Sequence, residues 1–174
     1  MDYSLHLTRW HYRRPDWLAA VVAGLAGGAV LMVLELLWSA VSNETGPWRA
    51  SQLVAAIALG PGVLQSSAAT FQANVVGTAL VTHYALGVVF GLVFAVVATG
   101  FGIDRQVPAT LLFGALFGAL LYVFDFHGMV RFFPWFTELR GWAMAIEHLV
   151  FGMVAALLYA KLERQGRTLA GRNS

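Results

Sequence analysis

The sequence predicts an all-α integral membrane protein, a bundle of four spanning helices, and two observations support this prediction. Of the 174 residues, 59% are hydrophobic and only 11% are charged, which is more apolar material than one soluble core of this size can bury. The hydrophobic residues are also concentrated in four runs of about 20 residues or more, the length that a helix needs to cross a bilayer.

The four predicted spans lie between two short tails. Residues 1–16 combine aromatic and basic side chains, and the apolar run behind them is too long for a signal peptide, so we interpret them as a cytoplasmic interfacial tail. The predicted spans are residues 17–41, 74–101, 107–127 and 141–162, and residues 163–174 form a basic cytoplasmic tail. The short link GIDRQ predicts that the second and third spans are antiparallel neighbours.

The connection between the first two spans is apolar but interrupted. It contains SQLVAAIALGPGVL, in which Gly60, Pro61 and Gly62 break the run after about ten residues, too few to span. Because open backbone groups are not tolerated in hydrocarbon, we expect an interfacial or re-entrant segment here. The connection before the last span is rich in aromatic residues between Phe132 and Phe136, which favour the headgroup boundary.

The distribution of basic residues predicts the orientation. Four spans place both tails on one side, and that side carries eight Lys and Arg residues against three on the other. The eight are Arg9, Arg13, Arg14, Arg105, Lys161, Arg164, Arg167 and Arg172, and the three are Arg49, Arg131 and Arg140. This excess predicts a multi-pass protein with both termini in the cytoplasm.

Each span contains two small residues four positions apart, the spacing that lets membrane helices approach closely. The predicted packing residues are Gly24, Gly28, Gly87, Gly91, Gly114, Gly118, Gly152 and Ala156. Four such pairs in four spans predict a compact bundle.

Every span also contains an ionisable residue, which costs roughly 2.5–3.5 kcal/mol to place in hydrocarbon on insertion scales. These residues are Glu35, His83, Asp125, His127, Glu147 and His148. At about 100° per residue, four of them (Glu35, His83, Asp125 and His148) fall on the small-residue faces. The ionisable residues also lie at similar depths, so the pattern predicts a polar cluster in the outer half of the bundle.

Four interpretations of this cluster stay open. Imidazole and carboxylate groups are ligands of transition metals, so all six residues are candidate metal ligands, although their spacing matches no known signature. Two histidines on different helices, His83 and His148, are candidate axial ligands of a b-type haem. The same groups suit a proton or ion relay. The interpretation we favour is that they hydrogen-bond between helices without a cofactor.

Other classes of function are excluded or lack a signal. The formal charge of +2, without a block of like charges, argues against nucleic acid as a partner. Cysteine is absent, which excludes disulfides and thiolate metal sites. There is no Walker motif, nucleophile elbow or dinucleotide fingerprint, so no catalytic residue is predicted.

Several stretches resemble the YagU-type family of small bacterial inner-membrane proteins. They are THYALGVVFGLVFAVV (82–97), LLFGALFGAL (111–120) and FPWF (133–136), followed by the adjacent Glu147 and His148 of the last span. The resemblance covers the second half of the chain, with Glu35 as a further match, and His83 and His148 fit it better than Glu147. It implies the membrane topology and a location in the bacterial inner membrane, and leaves the chemistry open.

We therefore expect a non-catalytic membrane subunit or accessory protein of a larger membrane assembly, for example a respiratory or other redox complex. The chain has no soluble domain to act alone, and its connections are apolar enough to bind other integral membrane subunits. The alternative is a metal-binding, haem-binding or proton-relay protein that uses the polar cluster.

Overall fold

The computed structural model describes residues 14–42, 46–101 and 107–170, in which helices and the turns between them make up the structure and no strand occurs. The α-helices are α1 (Trp17–Ser42), α2 (Arg49–Leu59), α3 (Ala73–Phe101), α4 (Val107–Val123) and α5 (Trp142–Ala170). The connections contain a π-helical turn, Phe124–Gly128, and 3₁₀ turns at Pro61–Gln65, Met129–Arg131 and Pro134–Leu139.

Four helices are long and apolar enough to cross a membrane, which confirms the predicted all-α architecture of a multi-pass membrane protein. They are α1, α3, α4 with the turns that extend it to Arg131, and α5 as far as Gly166. Helix α5 continues to Ala170, past the predicted end of the span at residue 162. Most of the predicted N-terminal tail and residues 171–174 lie outside the described residues.

Helices α1 and α5 are the central pair of the bundle. Helix α1 packs along both α3 and α5, and α5 packs along both α1 and α4. The backbones of α3 and α4 approach each other little within the described ranges, although a short link joins the two helices. The rings of Phe113 and Phe117 on α4 lie 5.7 and 5.2 Å from the ring of Phe94 on α3, so bulky side chains hold these helices apart.

Glycine allows the two closest helix contacts. A Cβ atom on Gly24 of α1 would collide with the backbone of Gly87 and Gly91 on α3. Gly28, also on α1, lies against His83 of α3. At the contact of α4 with α5, a Cβ atom on Gly114 would meet the backbone of Gly152 and the Cβ atom of Ala156. A Cβ atom on Gly118 would meet the backbone of His148 and Leu149. Main chains can approach this closely only where side chains are absent.

The short helix α2 covers one end of the bundle, which we call the α2 end. It packs on the first turns of α3, with Ala55 buried against Val75 and Ala79. With 11 residues it is about 16 Å long, too short to cross the membrane.

Polar contacts attach α2 to the connections around it. Arg49 donates two hydrogen bonds of 2.9 and 2.8 Å to the carboxylate of Glu138 and one of 2.9 Å to the backbone oxygen of Leu64. The indole nitrogen of Trp135 donates to the backbone oxygen of Leu53 at 3.0 Å. These contacts form a roof of α2 and its flanking turns over the bundle.

Candidate functional site

Five ionisable side chains lie near the α2 end, within the membrane-spanning helices. Glu35 comes from α1, His83 from α3, Asp125 from the π-helical turn after α4, and Glu147 and His148 from α5. At about 1.5 Å per residue, Glu35 lies about 10 Å from the end of α1 and His83 about 15 Å from the start of α3. Both therefore lie at hydrocarbon depth rather than at the helix ends.

The first pair consists of two carboxyl groups. A hydrogen bond links the side chains of Glu35 and Glu147 across the contact of α1 with α5. Because an ionised carboxylate can only accept, such a bond requires a proton on one of the two groups. Glu147 is only 4% exposed, and its Oε2 atom has no hydrogen-bond partner among the described residues. The pair is therefore a buried acidic site in which one carboxyl oxygen has no hydrogen-bond partner among the described residues.

The second pair joins an imidazole to a carboxylate. The Nδ1 atom of His148 donates to the backbone oxygen of Met144 at 2.9 Å, and its Nε2 atom lies 3.5 Å from Oδ2 of Asp125. An imidazole whose two nitrogens both face acceptors satisfies both only as the imidazolium. The rings of Phe126 and Tyr122 flank it at 5.3 and 6.0 Å. One proton between Nε2 of His148 and Oδ2 of Asp125 makes this pair neutral overall, whichever of the two atoms carries it.

The π-helical turn that carries Asp125 is itself unusual. Turns of this kind are rare and occur frequently at functional sites. The side chain of Arg140 donates to the backbone oxygen of Phe126 inside this turn. The turn is therefore held by a side chain from the segment that leads into α5, the helix that carries His148.

His83 faces α1 rather than lipid. Its Nε2 atom donates a 2.8 Å hydrogen bond to the backbone oxygen of Gly28. This leaves Nδ1 of the neutral ring as an acceptor. His83 also lies close enough to His148 to interact with it electrostatically.

The sixth predicted residue stands apart from the others. His127 is exposed, and its described contact is a ring contact of 5.8 Å with Tyr122. Within the described ranges, no three His, Asp or Glu side chains lie close enough together to hold a metal ion. The metal set predicted from the sequence is thus arranged as one acid–acid pair, one acid–imidazole pair and two separate histidines.

A cavity of about 160 Å³ lies beneath α2, among α1, α3, the end of α4 and α5. Its polar lining consists of Glu35, Ser39, Ser51, His83, Asp125 and His148, and its walls are otherwise apolar. An engineered apolar cavity of about 150 Å³ binds benzene, so this one has room for a single ring or a short chain. A haem macrocycle is several rings wide, so a haem between His83 and His148 does not fit the cavity.

Exposed residues in its lining indicate that the cavity opens sideways. Three leucines that line it, Leu36 of α1 and Leu80 and Leu86 of α3, are 44%, 36% and 38% exposed, and Pro47 before α2 is exposed as well. Towards the other end of the bundle, Gly24 brings α1 against α3 and closes the gap between them. The opening therefore lies between the α2-end halves of two spanning helices, where the bilayer surrounds the protein.

No protein-family model, curated protein or solved structure matches this chain. The resemblance to the YagU-type family stays a prediction. The site is therefore interpreted from its own geometry.

Sequence reasoning missed two groups of polar residues. Gln52 is buried and donates to the backbone oxygens of Ser66 and Ser67, which attaches α2 to the turn that follows it. A lone amide inside an apolar run was the signal for it.

At the opposite end, the hydroxyl of buried Tyr159 lies 2.9 Å from Oγ1 of Thr99 and accepts from the backbone nitrogen of Asp16 at 3.3 Å. Hydroxyl groups disrupt an apolar pattern too little to be noticed there.

Proposed function

We propose that this multi-pass membrane protein binds a small, mostly apolar molecule that enters the cavity from the bilayer. The observation that carries the proposal is the sideways opening of an apolar-walled cavity that contains a few convergent polar groups. Cavities with apolar walls and a small number of placed polar groups are typical ligand sites. If these groups only held the helices together, we would expect close packing around them, because protein interiors are densely packed.

The same geometry argues against two of the alternatives. A relay across the whole membrane needs polar groups or water along its path, but Phe94, Phe117 and Phe151 are buried in the bundle core. A metal site needs at least three convergent ligands, and the described residues do not provide such a set. The two pairs and the cavity suit a bound organic molecule better.

Binding of a neutral probe tests the proposal. Benzyl alcohol, which carries one ring and one hydroxyl, should bind saturably to the protein in nanodiscs of zwitterionic lipid, as measured by saturation-transfer NMR. Val76→Phe should abolish this binding, because Val76 lines the cavity. Val81→Phe is the matched control, since Val81 lies on the same helix, is 72% exposed and does not line the cavity.

Two results would overturn this proposal. One is the absence of saturable binding to the folded wild-type protein. The other is equal binding by the two variants while circular dichroism shows both to be helical.

The sequence also predicts membership of a larger membrane assembly, such as a respiratory or other redox complex, and this is compatible with ligand binding. The exposed ring of Phe132, near the π-helical turn, supports a contact with another subunit. Purification in mild detergent should then retain a fixed set of companions. We further propose an inner-membrane location with both termini in the cytoplasm, which reporter fusions to each terminus test directly.

A further inference from the structure

The charges around the cavity define what kind of polar end its ligand carries. Among the described residues, five ionisable groups face the cavity or belong to the Glu35–Glu147 pair: Glu35 on α1, His83 on α3, Asp125 after α4, and Glu147 and His148 on α5. Helix α2 contributes no ionisable group to the lining, since Arg49 faces Glu138 instead. The cavity lining, all within the described residues, contains no Lys or Arg.

These groups sum to a charge of −1 or of zero, depending on the protons on the Glu35–Glu147 pair. The Asp125–His148 pair is neutral overall, and His83 is neutral when it donates from Nε2 alone. The Glu35–Glu147 pair carries a charge of −1 when it holds one proton and is neutral when it holds two. An uncompensated charge at hydrocarbon depth is costly, so the pair holds either a second proton or a cation beside it.

The hydrogen-bonding groups indicate the same partner. Glu35, which lines the cavity, is an acceptor, and Nδ1 of His83 is another. Behind Glu35, the buried Oε2 atom of Glu147 has no donor among the described residues. A lining that offers acceptors and a negative charge is complementary to a group that is both a cation and a multiple donor, and an alkylammonium group has both properties.

We infer that the ligand is a lipophilic amine, bound as its ammonium ion against Glu35 with its apolar part in the cavity. This inference rests on the proposed function and specifies its ligand class. An anionic headgroup would be repelled by the singly protonated pair, and a neutral hydroxyl could not take the place of the second proton.

Proton and ammonium then compete for the same site. The pair that carries one proton binds the ammonium ion, whereas the pair that carries two is neutral and does not. If the free protein holds two protons on the pair, one of them is therefore released to water when the ammonium ion binds. Both sides of this exchange carry a total charge of +1. Protonation of His83, which lines the cavity, also makes the site less negative, so acidification weakens binding through this group as well.

The test compares benzylammonium with benzyl alcohol, which have the same ring and differ in the charged end. In zwitterionic nanodiscs at neutral pH, we expect the protein to bind benzylammonium at least ten-fold more tightly than benzyl alcohol. Acidification should weaken benzylammonium binding, by up to ten-fold per pH unit, and leave benzyl alcohol binding unchanged.

Two acid-to-amide variants complete the test. Glu35→Gln should remove the preference for benzylammonium and keep benzyl alcohol binding, which also shows that the variant is folded. Asp16→Asn, at the opposite end of the bundle and outside the cavity, should keep the preference, because Asn can also accept from the backbone nitrogen of Ala19. If Glu35→Gln loses both ligands, Glu147→Gln decides, because Glu147 does not line the cavity and its loss should again reduce the preference.

The outcomes separate the inference from the proposed function. Benzyl alcohol binding as tight as that of benzylammonium, or a preference that survives in both Glu35→Gln and Glu147→Gln, overturns the amine inference and leaves the cavity as a ligand site. Failure of both molecules to bind the wild-type protein overturns the proposed function and the inference with it.

Discussion

Gly152→Ala tests whether the bundle depends on main-chain contact between α4 and α5. A Cβ atom on Gly152 would lie within 3 Å of the Gly114 carbonyl and of the Gly118 nitrogen, and these backbone atoms cannot rotate away. The helices must separate by about 1 Å, and a gap of 0.5–1 Å forfeits roughly a quarter to a half of each dispersion contact. Overpacking of this kind costs about 1–3 kcal/mol.

Gly77→Ala is the matched control for this variant. Gly77 lies on α3, and nothing stands within 4 Å of the Cβ atom that the substitution adds. Both variants gain about 0.5–1 kcal/mol from replacing a helical glycine by alanine, so the difference in their free energies of unfolding isolates the overpacking cost. We expect Gly152→Ala to be less stable than Gly77→Ala by about 1–3 kcal/mol in reversible denaturation in mixed micelles. Equal stability of the two variants would refute close packing at this contact.

Three further substitutions test other parts of the fold. Tyr159→Phe removes a hydroxyl that bonds Thr99 and Asp16, and should lower the free energy of unfolding by about 1–2 kcal/mol; the loss should shrink in a Thr99→Val background, and an equal loss there contradicts the contact. His148→Gln should cost about 1–3 kcal/mol because it breaks the pair with Asp125, whereas His127→Gln, on an exposed side chain, should be neutral by the same assay. Arg49→Gln should change global stability by less than about 1 kcal/mol, yet increase hydrogen exchange in α2 and its flanking turns, and unchanged exchange would show that Arg49 does not hold the roof.

The spans could be predicted from the sequence because length and hydropathy decide them locally. The positions of the ionisable residues on the helical wheel were equally local information, and these positions place Glu35, His83 and His148 at the cavity. What the wheel could not provide was the choice of partner. Glu147 and His148 are about 100° apart on α5, and only the placement of α1 and α4 on either side of that helix determines that one meets Glu35 and the other Asp125.

The link between α3 and α4 shows what a local rule can and cannot predict. A short connection predicted neighbouring helices, but it only limits how far apart two helix ends can be. Contact along the rest of their length depends on the side chains between them, and Phe94, Phe113 and Phe117 fill that space with rings. Glycines at the contacts of α1 with α3 and of α4 with α5 draw those pairs together instead.

Glycine contacts determine how closely the helices of this bundle approach, and polar pairs determine their relative heights. A groove lined by Gly114 and Gly118 lets α5 approach α4, but its surface has few features that would stop one helix from sliding along the other. A polar pair is satisfied at one height only, because a slide of one turn, about 5.4 Å, separates its two groups. Two such pairs on different faces of α5 therefore fix its height against α1 and α4 at once. The adjacent Glu147 and His148 are thus explained by the central position of α5. Of the four groups in the two pairs, Glu35, Asp125 and His148 also line the cavity, where a ligand can reach them.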